Sequence, residues 1–163
     1  MTAEASPEVD LERLGQALLG AASEAIIYAD REGLIRFWNP GAERLFGFAA
    51  AEALGRSLDL IIPESLQARH WAGFRQVMQT GESRYGSGDL LAVPGLRQDG
   101  TRISLEFTIL PVHAEDGRME GMIAVLRDVT RRFEEVRALK REIAALRDRP
   151  AARTGEDRPR GGG

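Results

Sequence analysis

The chain has 163 residues, 43% of them hydrophobic, a formal net charge of −3 and no cysteine. That length and apolar content suit a single buried core; the acidic balance excludes a protein that grips nucleic acid through a broad basic face; and the missing thiols exclude disulfides, zinc–thiolate sites, iron–sulfur ligation, cysteinyl-flavin photochemistry and thiol catalysis. No apolar run approaches the roughly 20 residues that span a bilayer, and the acidic opening MTAEASPEVD is unlike a signal peptide, so a cytoplasmic protein with no membrane partner is expected.

In chain order, SPEVDLERLGQALLGAASEA begins with the helix-start residues Ser6 and Pro7 and early acids, then sets Val9, Leu11, Leu14, Leu18 and Leu19 at near-helical spacing. It is predicted to be a helix that packs on something, a helical cap over residues 1–22. AIIYAD and LIRFWN, split by Arg31-Glu32-Gly33, read as a β-hairpin. Asn39 then stands at an N-cap position with Pro40 at the first helical position, and two short helical pieces follow. PESLQARHWAGFRQVMQTG, residues 63–81, is predicted to be one longer amphipathic helix.

Beyond it the pattern changes to period two. Ile103, Leu105, Phe107 and Ile109 alternate with Ser104, Glu106 and Thr108, which predicts a strand with one buried face. A strand from about Arg84 to Val93, with a bulge at the glycines of YGSGD, precedes it, and a turn at Asp99-Gly100 joins the two. EGMIAVLRDVT follows as a further strand. The fold expected is α+β, a five-stranded antiparallel sheet with short helices and one longer helix on one face, over residues 23–129. From Thr130 helical period returns, with Val136, Leu139, Ile143 and Leu146 forming a two-heptad stripe over residues 130–149. That helix either folds back on the domain or pairs with a second copy or an effector's helix, the N-terminal helix supplying further surface. RPAARTGEDRPRGGG has no periodicity, and residues 150–163 are expected to be a disordered tail.

The order of elements resembles the PAS family, and local strings carry the resemblance: YADREGLIRFWNPGAERLFGFAAAEALGR is similar to the family's opening strands and short helices, RQDGTRISLEF to its DG turn and following strand, and AVLRDVTRRFEE to its closing strand and D-[IV]-T junction. The resemblance runs over about residues 20–132. It implies a sensory or dimerisation module for kinases, cyclic-nucleotide enzymes or transcription factors, and it leaves the ligand open, since one scaffold hosts haem, flavin, small acids or nothing.

The residue on which the ligand question turns is His70. On a helical wheel started at Leu66, Val77 falls at about 20°, His70 at about 40° and Phe74 at about 80°, so the imidazole lies within the apolar stripe. A buried imidazole needs partners: a hydrogen-bonded neutral core histidine satisfies that, and so does a metal on one nitrogen with a carbonyl or carboxylate on the other. IIPESLQARHW resembles the haem PAS domains that sense oxygen in bacteria, where a PE step precedes the iron-binding histidine by the spacing that separates Glu64 from His70. The resemblance implies haem b ligated by His70, in a pocket of Leu66, Phe74 and Val77 from the helix and Leu90 or Leu91, Phe107 and Ile109 from the sheet, and it makes a diatomic gas the signal.

Two positions depart from that subgroup. Its distal arginine after Gly-x-Gly is replaced by Asp89, or by Leu90 if the register slips by one, and an ionised aspartate donates no hydrogen bond. Its propionate-pairing arginine, six residues after the histidine, is Gln76, leaving Arg75 or Arg84 as substitutes. A pocket of this kind favours carbon monoxide or nitric oxide over oxygen.

Other candidates read as structural. His113 follows Pro111 at a strand end and reads as an exposed turn residue; Trp38 and Trp71 read as packing; Asp30, Glu64 and Glu106 form no acid–base pair. With only Thr130–Gly163 after the last strand, the expectation is a stand-alone, non-catalytic PAS module, a homodimer or the partner of a separate effector such as a kinase or a transcription factor. The alternative is a ligand-free dimerisation module in which His70 is structural.

Overall fold

The computed structural model describes residues 10–81 and 93–147. Two antiparallel strands come first after an N-terminal helix, α1 (Leu11–Ala21): β1 (Ala25–Asp30) and β2 (Ile35–Trp38). The turn between them is built by Asp30, whose Oδ1 accepts the backbone N–H groups of Glu32 (3.1 Å) and Leu34 (3.0 Å) and whose Oδ2 accepts Nε of Arg36. Gly33 takes the left-handed φ of 77° that this turn requires.

Asn39 starts the next segment as the sequence predicts. Its Oδ1 accepts Ala42 N–H at 2.9 Å, capping α2 (Pro40–Phe46), and also Ile26 N–H at 2.8 Å; its Nδ2 donates to the carbonyls of Glu24 (3.0 Å) and Leu19 (3.2 Å). One buried amide thus ties the end of α1, the start of β1 and the start of α2 with every donor and acceptor used. Glu52 caps the short α3 (Ala50–Ala53) through Ala49 N–H at 2.8 Å, and a 3-10 turn at Leu58–Ile61 leads into α4 (Glu64–Thr80), which Gly81 closes in the left-handed conformation, φ 70°.

Three strands complete the sheet: β3 (Val93–Leu96), β4 (Arg102–His113) and β5 (Met119–Asp128). The spatial order is β2-β1-β5-β4-β3, antiparallel throughout. Strand β3 pairs Val93 through Leu96 with Leu105 through Arg102, so it runs past Val93, where the sequence reading ended it; the β4 register carries the pairing to the Arg97–Gly100 turn. The remainder of that predicted strand, with its glycine bulge, lies outside the described residues, as do residues 1–9 and the predicted tail 150–163.

The main core lies on one face of the sheet. Ala25, Ile27, Ile103, Leu105 and Leu126 pack against Ala42 and Phe46 of α2, Ala53 of α3 and Ile61 of the 3-10 turn. Phe46 is fully buried, and cutting it to alanine costs about 3–5 kcal/mol by the usual transfer-plus-cavity arithmetic. A second cluster joins α4 to the sheet: Phe74 and Val77 meet Met119 and Met122 of β5, with Ile109 of β4 alongside.

The two terminal helices depart from the packing expected of them. No residue of α1 is buried; Leu19 is half-buried, and Leu11, Leu14 and Leu18 are 76%, 55% and 66% exposed, so most of the amphipathic pattern is left uncovered by the described chain. The last helix, α5 (Thr130–Arg147), likewise buries nothing and does not fold back, contrary to one of its two predicted outcomes. Among the described residues no helix is long and apolar enough to cross a membrane.

Candidate functional site

The site is built on the inward side of α4. A 17-residue helix beginning after Pro63 places His70, Phe74 and Val77 along one flank, and Phe74 and Val77 are buried. His70 is half-buried between two rings of its own helix, Trp71 at 5.0 Å in an edge-on arrangement and Phe74 at 6.0 Å. Its Nδ1 is buried and, among the described residues, has no hydrogen-bond partner. Burial favours the neutral ring and lowers the imidazole below its ordinary pKa, against the opposing pull of the Asp59 carboxylate.

Trp71 forms the wall beside His70 and is held at both ends. Its Nε1 donates to Asp59 Oδ1 at 2.7 Å, and the far edge of its ring lies against Gly33, where an added Cβ would clash with the indole. Asp59 comes from the 3-10 turn and Gly33 from the β1–β2 turn, so three separate segments converge beside the histidine. Neither contact is legible from local spacing. Trp71 stands next to His70 in sequence, but only the fold brings Asp59 and Gly33 to it.

The predicted pocket residues divide. Phe74, Val77 and Ile109 share the α4–sheet cluster, joined by Met119 and Met122, which the sequence reading passed over. The alternation of β5 was the available signal, since Met122, Ala124 and Leu126 share a face. Leu66 is half-buried on α4, whereas Phe107 packs with the main core instead of the α4 cluster. Arg84, Asp89, Leu90 and Leu91 lie outside the described residues. His113 ends β4 and is exposed, and among the described residues no group of three or more histidines and carboxylates is placed to hold a metal ion. Trp38 is core packing, its Nε1 donating to Phe48 O at 3.1 Å.

A different end of the sheet carries the junction to α5. Asp128 Oδ1 accepts Thr130 N–H (2.9 Å) and Thr130 Oγ1–H (2.5 Å), its Oδ2 accepts Nη2 of Arg97 (2.6 Å), and Thr130 Oγ1 accepts Ser104 N–H (2.9 Å). Val129 N–H donates to Ser104 O at 2.9 Å. The turn after β3, the start of β4, the end of β5 and the first residue of α5 therefore meet on one carboxylate and one hydroxyl. A shallow cleft of about 360 Å³ lies beside this junction, and its charged walls pair with each other, Arg127 with Glu24 at 3.2 Å and Arg97 with Asp128.

The family model described as the PAS fold matches residues 19–134, and the chain belongs to that family. Among curated proteins it is similar to an uncharacterised protein of Azorhizobium caulinodans (34% identity over 131 residues, 80% of this chain and 17% of that one), to the sensor protein FixL of Bradyrhizobium diazoefficiens (30% over 107 residues, 65% and 19%), and to the oxygen sensor protein DosP of Escherichia coli (27% over 139 residues, 84% and 16%). The chain thus spans less than a fifth of the length of each of these relatives. Among solved structures, an RNA-binding light-oxygen-voltage receptor superposes with a TM-score of 0.69 at 29% identity over 88% of this chain and 40% of that one. A PAS domain from Colwellia psychrerythraea superposes at 0.67 over 75% of this chain and 99% of that one, with 21% identity, and shows the fold alone. The chain is a PAS sensory module.

Proposed function

We propose that this module takes haem b, with neutral His70 as the iron ligand, and reports the binding of a diatomic gas without catalysing a reaction. The observation that carries the reading is the buried Nδ1 of His70: a histidine kept for core structure would have that nitrogen hydrogen-bonded, and among the described residues it has no partner. The residues present fit the group in two further respects. Burial favours the neutral, ligating form of the imidazole, and apolar side chains, Phe74, Val77, Ile109, Met119 and Met122, line the contact between α4 and the sheet. The likeness to a protein named as an oxygen sensor agrees with it.

Bound there, haem supplies an iron coordination position for a gas. The chain's own part is mechanical. Phe74 and Val77 rest on Met119 and Met122, and those methionines belong to the strand that ends in Asp128. A displacement of α4 is passed along β5 to the carboxylate that holds Thr130, and so to the first turn of α5, from which a separate effector reads it. Gas binding shifts this equilibrium only to the extent that the two positions of α4 differ in affinity for it.

The test is the visible absorption of the protein supplied with haem, beside His70→Ala. A stoichiometric Soret band in the wild type that is lost or displaced in the variant is the expected result. Equal spectra for the two proteins, or no band in either, would return His70 to a structural role and make the module a ligand-free one.

A further inference from the structure

We infer that the cleft beside the α5 junction is a binding site for a small organic oxoanion, a carboxylate or phosphate on a short apolar body, and that its occupancy is felt at Thr130. The inference stands apart from the haem reading and needs none of the residues around His70.

The start of β1, α2, the turn after β3 and the end of β5 enclose the cleft of about 360 Å³. Its walls carry the guanidiniums of Arg44, Arg97 and Arg127 and the carboxylates of Glu24 and Asp128, with Leu45 and Leu126 as an apolar strip. One positive charge is left unbalanced. Glu24 holds Arg127 at 3.2 Å and Asp128 holds Arg97 at 2.6 Å, so among the described residues Arg44 is the cation of the cleft without a carboxylate. Its Nη2 donates only to the carbonyl of Ala22, at 3.2 Å. A guanidinium keeps its charge at any working pH and presents a planar fork of donors that matches carboxylate and phosphate oxygens.

Arg97 supplies the second observation. Its Nε is buried and, among the described residues, has no hydrogen-bond partner. Nε and Nη2 lie along one edge of a guanidinium, the edge that a carboxylate or phosphate takes with two oxygens. Asp128 uses Nη2 alone, because its Oδ1 is committed to the N–H and hydroxyl of Thr130 and only Oδ2 is left for Arg97. An oxoanion in the cleft satisfies both donors, which the aspartate does not. Drawing Arg97 to it takes a cation from Asp128, and Asp128 is the carboxylate that fixes the first residue of α5. The exposed pair of Arg127 and Glu24 opposes such a rearrangement little.

The experiment titrates the full chain with succinate and, separately, with inorganic phosphate at fixed ionic strength, sodium chloride being the control. Arginine Nε–H and backbone amide resonances are followed by nuclear magnetic resonance. Saturating shifts at Arg44 and Arg97, and at the Thr130 amide with the same midpoint, are expected. Saturation by succinate alone assigns carboxylates as the ligand class, saturation by phosphate alone assigns phosphate esters, and saturation by both supports the shared chemistry. Arg44→Gln should raise the midpoint at least about tenfold, the worth of one hydrogen-bonded charge contact. Arg44 is exposed, and Arg44→Lys, which keeps the charge and loses the fork, should weaken binding in the same direction if the glutamine variant fails to fold. The titration should be unchanged in His70→Ala. Shifts that grow without saturating, or that chloride reproduces, would show general screening and overturn the inference. So would a midpoint indifferent to both Arg44 variants, a titration abolished by His70→Ala, or a Thr130 amide that stays still while the arginines saturate.

Discussion

The carboxylate of Asp128 and the guanidinium of Arg97 meet at 2.6 Å, and that pair sits on the same aspartate that fixes the first residue of α5. Burial alone would raise the Asp128 pKa; the hydrogen bonds from Thr130 and the charge of Arg97 outweigh it and hold the carboxyl below its ordinary range. The folded pKa lies under the unfolded one, so the stability it contributes is complete above the ordinary carboxylate pKa of about 4 and is lost as pH falls through the lower folded value. Asp128→Asn should cost about 1–2 kcal/mol at neutral pH, and the difference from the wild type should shrink in acid. Urea unfolding at a series of pH values checks both; a difference that grows in acid would contradict the assignment.

Asn39 is the residue whose loss should be felt most per atom removed. Asn39→Ala strips the side-chain helix cap and leaves the buried Ile26 N–H and two carbonyls without their partner, an expected cost of about 2–4 kcal/mol. Thermal unfolding measures it. A loss under 1 kcal/mol would mean that water enters and replaces the amide.

Gly33 tests the wall beside His70. Gly33→Ala asks for a left-handed φ and drives a methyl into the Trp71 ring, so the ring must move or the turn must open. The expected loss is about 1–3 kcal/mol, with a shift in Trp71 emission read in a Trp38→Phe background. Unchanged emission would show that the indole does not rest on this turn.

Local chemistry accounts for what was legible in the sequence. Asn39-Pro40 announces a helix start and the alternation of Ile103 through Ile109 a half-buried strand because each is decided within a few residues. The same patterns show that a face is apolar and not what covers it, which is why α1 was expected to pack while Leu11, Leu14 and Leu18 stand exposed. His70 could be placed on the inner flank of α4 from spacing alone. Asp59, Gly33, Met119 and Met122 reach its neighbourhood from other segments, and no local period encodes such a meeting.

The most direct test that the ligand lies at His70 is haem titration of the Trp38→Phe protein, followed by the fluorescence of Trp71, whose ring is 5.0 Å from the imidazole. Quenching that saturates at one haem per chain, and is lost or becomes non-saturating when His70→Ala is added, is the expected result. Emission that stays constant, or quenching identical with and without His70, would contradict haem binding at this site.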